Sequence, residues 1–217
     1  MYLPENVLRA RLKNIYFLWG RGKTTIANLL MEKSDCAVYR TDEARARHAR
    51  LADPAHQPTM CRDFEKEYGV SDFWALPPEV IAVRETLWLK EFTPMAVVDL
   101  LLLADKHKIV LCEGDLDHEA ILPLASHCVY LLNCSSSFDW FDRPDHRDML
   151  ESVNKRADLA QAEKDAIIQN AYRAVAQSEA QLPEWVTKNG IHSIAWDERS
   201  TPAQTAGKAA QYFGLPF

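Results

Sequence analysis

Five short apolar runs alternate with segments long enough to cross back as helices, and this alternation constrains the fold more than any other feature of the chain. The runs are NIYFLW (14–19), CAVYR (36–40), KIVLC (108–112), CVYLLN (128–133) and IHSIAW (191–196). Between them lie KTTIANLLMEK, EVIAVRETLWLKEFTPMAVVDLLLLADKH, the polar and strongly helical residues 139–181, and the closing TPAQTAGKAAQYF. Two parallel strands need a crossover of a dozen or more residues, and a helix supplies it. Several runs are apolar without alternating, the pattern of strands covered on both faces. The sequence therefore predicts an α/β fold of three layers around an open, five-stranded parallel sheet with right-handed crossovers. A chain of 217 residues, 47% hydrophobic, is expected to form one domain spanning 1–217. Residues 52–78 read as an irregular excursion on the substrate side, because Pro54, Pro58, Pro77 and Pro78 stand there among charges and aromatics.

The first run opens onto GRGKTT (20–25) and an apolar helix with Ile26, Leu29 and Leu30. A phosphate-binding loop reads Gly, four residues, then Gly-Lys-Ser/Thr between a buried strand and a helix. Gly22, Lys23 and Thr24 match its second half. The loop amides and the helix N-terminus would face a polyphosphate, Lys23 would reach the transferred phosphate, and the Thr24 hydroxyl would hold Mg²⁺. Gly20, Arg21, Gly22, Lys23, Thr24 and Thr25 are the candidate nucleotide-binding residues. The loop departs from the pattern in length: only Arg21 separates the two glycines, so it is three residues short. Three accounts fit: loop residues missing from the chain as written, a true deletion that weakens or kills the site, or a non-standard cradle in which Arg21 itself binds phosphate.

Carboxylates follow the second and third runs. In VYRTDEARARHAR, Asp42 stands where open α/β sheets bind ligands, placed to orient an acceptor hydroxyl or take its proton, or else to cap the next helix. Arg45, Arg47 and Arg50 behind it would meet substrate charge or form a solvated face. In IVLCEGDLD, Glu113, and after it Asp115, are the candidate Mg²⁺ carboxylates, while Asp117 reads as a helix cap. After the fourth run, DWFDRPDHRDMLESVNKRADL places Arg143, Arg147 and Arg156 on a helical segment. About 140–158 this reads as a lid that brings Arg143 and Arg147 to the transferred phosphoryl group, or as a surface helix laced with salt bridges. Lys23, Asp42, Arg143 and Arg147 are thus the candidate catalytic residues.

Together these residues resemble the P-loop kinases typified by shikimate, gluconate and adenylate kinases and by small antibiotic phosphotransferases; the opening LKNIYFLWG and the EFTPM segment also look like those of kinase-like ATPases. The resemblance runs nearly the length of the chain, from GKTT through Asp42 to the arginine-bearing lid. It implies a P-loop NTPase fold with sheet order 2-3-1-4-5, ATP and Mg²⁺ as cofactors, and a loop near Ser200–Pro202 beside the adenine. The function expected is ATP-dependent phosphotransfer to a small-molecule hydroxyl or nucleotide acceptor; the alternative is a non-catalytic nucleotide-binding or regulatory protein with a damaged loop.

Partners are constrained by charge. The formal net charge of −6 makes no electrostatic case for a nucleic-acid or membrane surface, so a small-molecule substrate is expected, with oligomeric state open. Five cysteines without CxxC spacing read as reduced, with Cys36, Cys112 and Cys128 in strand-like runs. His118, His127, His146 and His192 show no ligand spacing for zinc. No apolar stretch resembles a signal peptide or a bilayer span, which makes a cytoplasmic setting the expectation.

Overall fold

The computed structural model describes residues 4–62, 69–133, 144–197 and 199–217. The chain opens with α1 (Glu5–Arg11), followed by β1 (Ile15–Gly20), α2 (Lys23–Lys33), β2 (Ala37–Arg40), α3 (Thr41–Leu51) and α4 (Pro58–Cys61). After α5 (Gly69–Trp74), the long α6 (Pro78–Ala104) leads to β3 (Val110–Glu113), the single turn α7 (His118–Ile121) and β4 (His127–Asn133). Then come α8 (Pro144–Lys155), α9 (Gln161–Ala180), α10 (Leu182–Lys188), β5 (His192–Trp196) and α11 (Pro202–Phe213). All five strands are parallel in the order β2-β3-β1-β4-β5, the order the family resemblance implies.

Period-two alternation sends successive strand residues to opposite faces. Ile15, Phe17 and Trp19 pack with Phe92, Ala96 and Leu100 of α6, whereas Leu18 packs with Ile26 and Leu30 of α2 and with Ala206 and Phe213 of α11. Both faces are dry, which is why the runs are apolar without alternation. On the α6 side, Asp99 ties three elements together: it accepts from the Tyr39 hydroxyl at 3.0 Å, lies 2.7 Å from His48 Nε2, and pairs with Arg47. The carbonyl ends of β1, β2 and β3 finish together, with Glu113 opposite both Leu18 and Arg40.

The excursion over 52–78 is more regular than its prolines suggest. Pro58 and Pro78 each start a helix, where the missing N–H costs nothing, so α4 and the head of α6 form. The described part of the expected lid is α8, and α8 does not stand apart. Val153 and Ala171 make a small core with Trp74, Leu150, Ile167, Ile168 and Tyr172, so α5, α8 and α9 pack as one unit. Arg156 pairs with Asp72 at 2.8 Å and with Asp158, which makes it a structural tie between α5 and the end of α8, not a free lid cation. Asn170 adds bonds to the Trp74 and Leu76 carbonyls at 2.8 and 2.6 Å.

Cys36, Cys61, Cys112 and Cys128 are free thiols, and burial pushes Cys112 and Cys128 far above the usual range, so both are inert; Cys134 lies outside the described residues. Among the described residues no helix is long and apolar enough to cross a membrane.

Candidate active site

The β1–α2 turn is built around two glycines that no other residue can replace cheaply. Gly20 has φ +90°, and a Cβ there would lie 2.2 Å from the Leu131 carbonyl oxygen of β4. Gly22 has φ +80° and forms the N-cap of α2. Between them the Arg21 amide donates to Leu131 O at 3.2 Å, so this amide belongs to the sheet and cannot turn toward an anion. The Trp196 indole, at the end of β5, donates to Arg21 O at 3.3 Å and lies 3.5 Å from where a Gly22 Cβ would stand. The Arg21 guanidinium pairs with Glu179 of α9. The turn is two residues long and clamped from three sides, with the Arg21 guanidinium turned to a carboxylate.

Beyond the turn, α2 presents the features an anion needs. Among the described residues no side chain caps the amides of Lys23, Thr24 and Thr25, and the helix dipole adds partial positive charge. Lys23 is 8% exposed and its Nζ stands 3.7 Å from Asp115. The Thr24 hydroxyl donates to Glu113 Oε2 at 3.3 Å, so the residue pair proposed for Mg²⁺ is in contact. Arg40 donates to the other oxygen of Glu113 at 3.0 Å and to Asn28 at 2.6 Å. Burial raises the Glu113 carboxyl above its ordinary value, while Lys23 and Arg40 pull it back. Among the described residues no group of three or more His, Cys, Asp or Glu side chains forms a metal cage. A site that takes Mg²⁺ through one hydroxyl, one carboxylate, water and phosphate needs none. The residues present thus fit the metal and the terminal phosphates, while the loop lacks the amides to wrap the remainder of a nucleotide's phosphate chain.

Lys23, Thr24, Glu113 and Asp115 come together as expected, with Asp115 on Lys23 rather than beside Thr24. Asp42 lies exposed in the first turn of α3; no side chain among the described residues bonds it, and it acts electrostatically on Glu113 and Arg45. Asp117 caps α7, accepting from the Glu119 amide at 3.2 Å. Arg45 and Arg47, expected to meet substrate charge, are instead paired with Glu85 and Asp99, and Arg45 also lies 4.4 Å over the Trp88 ring. Arg147 is exposed on α8, and Arg143 lies outside the described residues.

Arg40, Thr41, Glu179 and Trp196 belong to the site and escaped sequence reasoning. A charge ending an apolar strand was the available signal for Arg40. Thr41 is fully buried, its hydroxyl has no hydrogen-bond partner among the described residues, and its side chain packs directly on Gly114, where a Cβ would clash with it and φ is +120°. Behind Asp115, the His118 ring sits 4.2 Å from Trp19 and 5.1 Å from Trp185, and burial holds its pKa below the ordinary value. Comparison with protein-family models, with curated proteins and with solved structures found no match to this chain.

Proposed function

We propose that the protein is a P-loop kinase of reduced loop length that transfers a phosphoryl group from ATP to a small-molecule hydroxyl in the cytoplasm. The observation that carries this reading is the contact of Thr24 with Glu113 beside the buried Lys23, at the N-terminus of α2 and the carbonyl edge of a parallel sheet. ATP with Mg²⁺ supplies the phosphoryl group. Lys23 and the α2 amides hold the terminal phosphates, and Thr24 with Glu113 holds the metal side. Asp42, exposed at the same edge, orients the acceptor hydroxyl and takes its proton. Arg147 of α8 meets the transferred group, and Arg143 is assigned the same role from the sequence alone. A non-catalytic phosphate-binding role is the second reading, favoured by the Arg21 amide's engagement with the sheet.

A screen of hydroxyl acceptors for ADP formation separates the two. The kinase reading expects turnover that falls on the order of a hundredfold in Asp42→Asn while ATP binding persists. ATP binding without turnover for any acceptor class favours the second.

A further inference from the structure

Both cations at the phosphate end of the site are held by carboxylates of the protein itself. Lys23 Nζ stands 3.7 Å from Asp115, and Arg21 donates through Nε to Glu179 Oε1 at 2.5 Å. The two pairs share one neighbourhood: after burial, Asp115 and Glu179 raise the Tyr130 phenol above its ordinary value, while Arg21 lowers it. The Glu179 side chain is 40% exposed, so an anion arriving from solvent can compete with it for the guanidinium. Glu179 is also badly placed on its own helix. It stands in the last turn of α9, which carries no basic residue there, and a carboxylate at a helix C-terminus meets the negative end of the dipole. The contact with Arg21 offsets that cost.

Arg21 can change partners without moving its backbone. Its amide is fixed on Leu131 O and its carbonyl on the Trp196 indole, so the Cα stays in place and the side chain alone swings. Two Cα steps, at most about 7.6 Å, separate it from Lys23 at the head of α2, a span that an extended guanidinium covers. A polyphosphate on the α2 amides offers that guanidinium a bidentate partner with more charge than one carboxylate.

We propose that Glu179 is a counter-ion latch, which holds Arg21 in the ligand-free protein and yields it to a polyphosphate bound at the N-terminus of α2. This rests on the kinase reading above and names a regulation of its site. A polyphosphate must displace Glu179 before Arg21 can meet it, which lowers its apparent affinity. Because the body of α9 packs with α5 and α8 through Ile167, Ala171 and Tyr172, release of Glu179 also frees that unit from the β1–α2 turn at this contact.

The test is calorimetric titration of magnesium tripolyphosphate and of Mg-ATP into the full chain, Glu179→Gln, Arg21→Met and the double variant, each shown to be folded by circular dichroism. Glu179→Gln is expected to bind both ligands about two- to fivefold more tightly than the wild type, the strength of a partly exposed ion pair. Arg21→Met should bind more weakly, and adding Glu179→Gln to it should change nothing further. A gain of the same size with and without Arg21 means that Glu179 only repels the ligand from a distance, and it overturns the proposal. So does equal or weaker binding by Glu179→Gln, the behaviour of a static tie, and so does failure of every variant to bind either ligand. If the Glu179 effect is absent while Mg-ATP binding still depends on Lys23, the latch fails alone. If tripolyphosphate shows the effect but Mg-ATP does not bind, the kinase reading fails alone.

Discussion

Lengthening the turn between β1 and α2 should strengthen ATP binding, because the present turn cannot surround a phosphate chain. The perturbation is an insertion of three residues between Gly20 and Arg21, restoring four residues between the glycines. Three residues add roughly 10 Å of chain. They also bring three N–H groups, in a turn whose Arg21 amide is at present spent on Leu131 O at 3.2 Å. Hydrogen bonds to a charged partner contribute about 1.5–3 kcal/mol each, so three are worth roughly 4.5–9 kcal/mol. Ordering three residues costs about 1–2 kcal/mol each, or roughly 3–6 kcal/mol. Taking the middle of each range, the difference is about 2 kcal/mol, a gain of about ten- to a hundredfold in affinity. The Arg21–Glu179 pair and the Trp196 contact must yield to the longer loop, so the lower end applies. The assay is titration calorimetry with Mg-ATP at fixed salt, circular dichroism and melting temperature showing that both proteins are folded. An affinity that is unchanged or weaker in the folded, lengthened protein refutes the reasoning, as does a gain that persists when Lys23 is replaced by Met in the same background.

Three single substitutions test other contacts. Gly20→Ala should cost at least about 3 kcal/mol, because a positive φ is combined with a clash against the Leu131 carbonyl. Gly214→Ala, also at positive φ but with nothing within 4 Å of the added Cβ, should cost only about 1 kcal/mol, and equal losses on urea denaturation would show that the Gly20 contact is unimportant. Because burial lowers the His118 pKa, its contribution to stability is present above the unfolded value of 6.5 and is lost as pH falls through the lower folded value. His118→Phe should therefore lose less stability than wild type between neutral pH and about pH 5, read from denaturation midpoints. Identical pH profiles would place His118 outside the buried cluster.

The strands were legible because each is dry on both faces, and the five apolar runs overlie β1 to β5 to within two residues at either end. The largest slip is the start of β3, two residues later than the run, and at its other end the strand continues one residue to Glu113. A buried carboxylate reads as loop in sequence, yet Arg40 across the sheet edge holds it in the ladder. The placement of candidate residues was legible where they stand directly after a strand end, as with Lys23, Thr24 and Asp42. It was illegible where a partner comes from far along the chain. Nothing near Arg21 announces Glu179, 158 residues away, or the Trp196 ring against Gly22. The arginines after β2 misled for the same reason: their partners, Glu85 and Asp99, sit on α6 and look in sequence like ordinary surface charges.

The central claim, that the N-terminus of α2 with Lys23 binds the phosphates of ATP despite the two-residue turn, is tested most directly by calorimetric titration of Mg-ATP into the wild-type protein and into Lys23→Met. The substitution keeps the volume of a side chain that is 8% exposed and removes the cation that meets the phosphates. The account predicts measurable binding by the wild type and a loss of at least about tenfold in the variant, since a charged group bonded to phosphate contributes about 1.5–3 kcal/mol. Equal affinity in the two folded proteins, or no binding by the wild type, would contradict it.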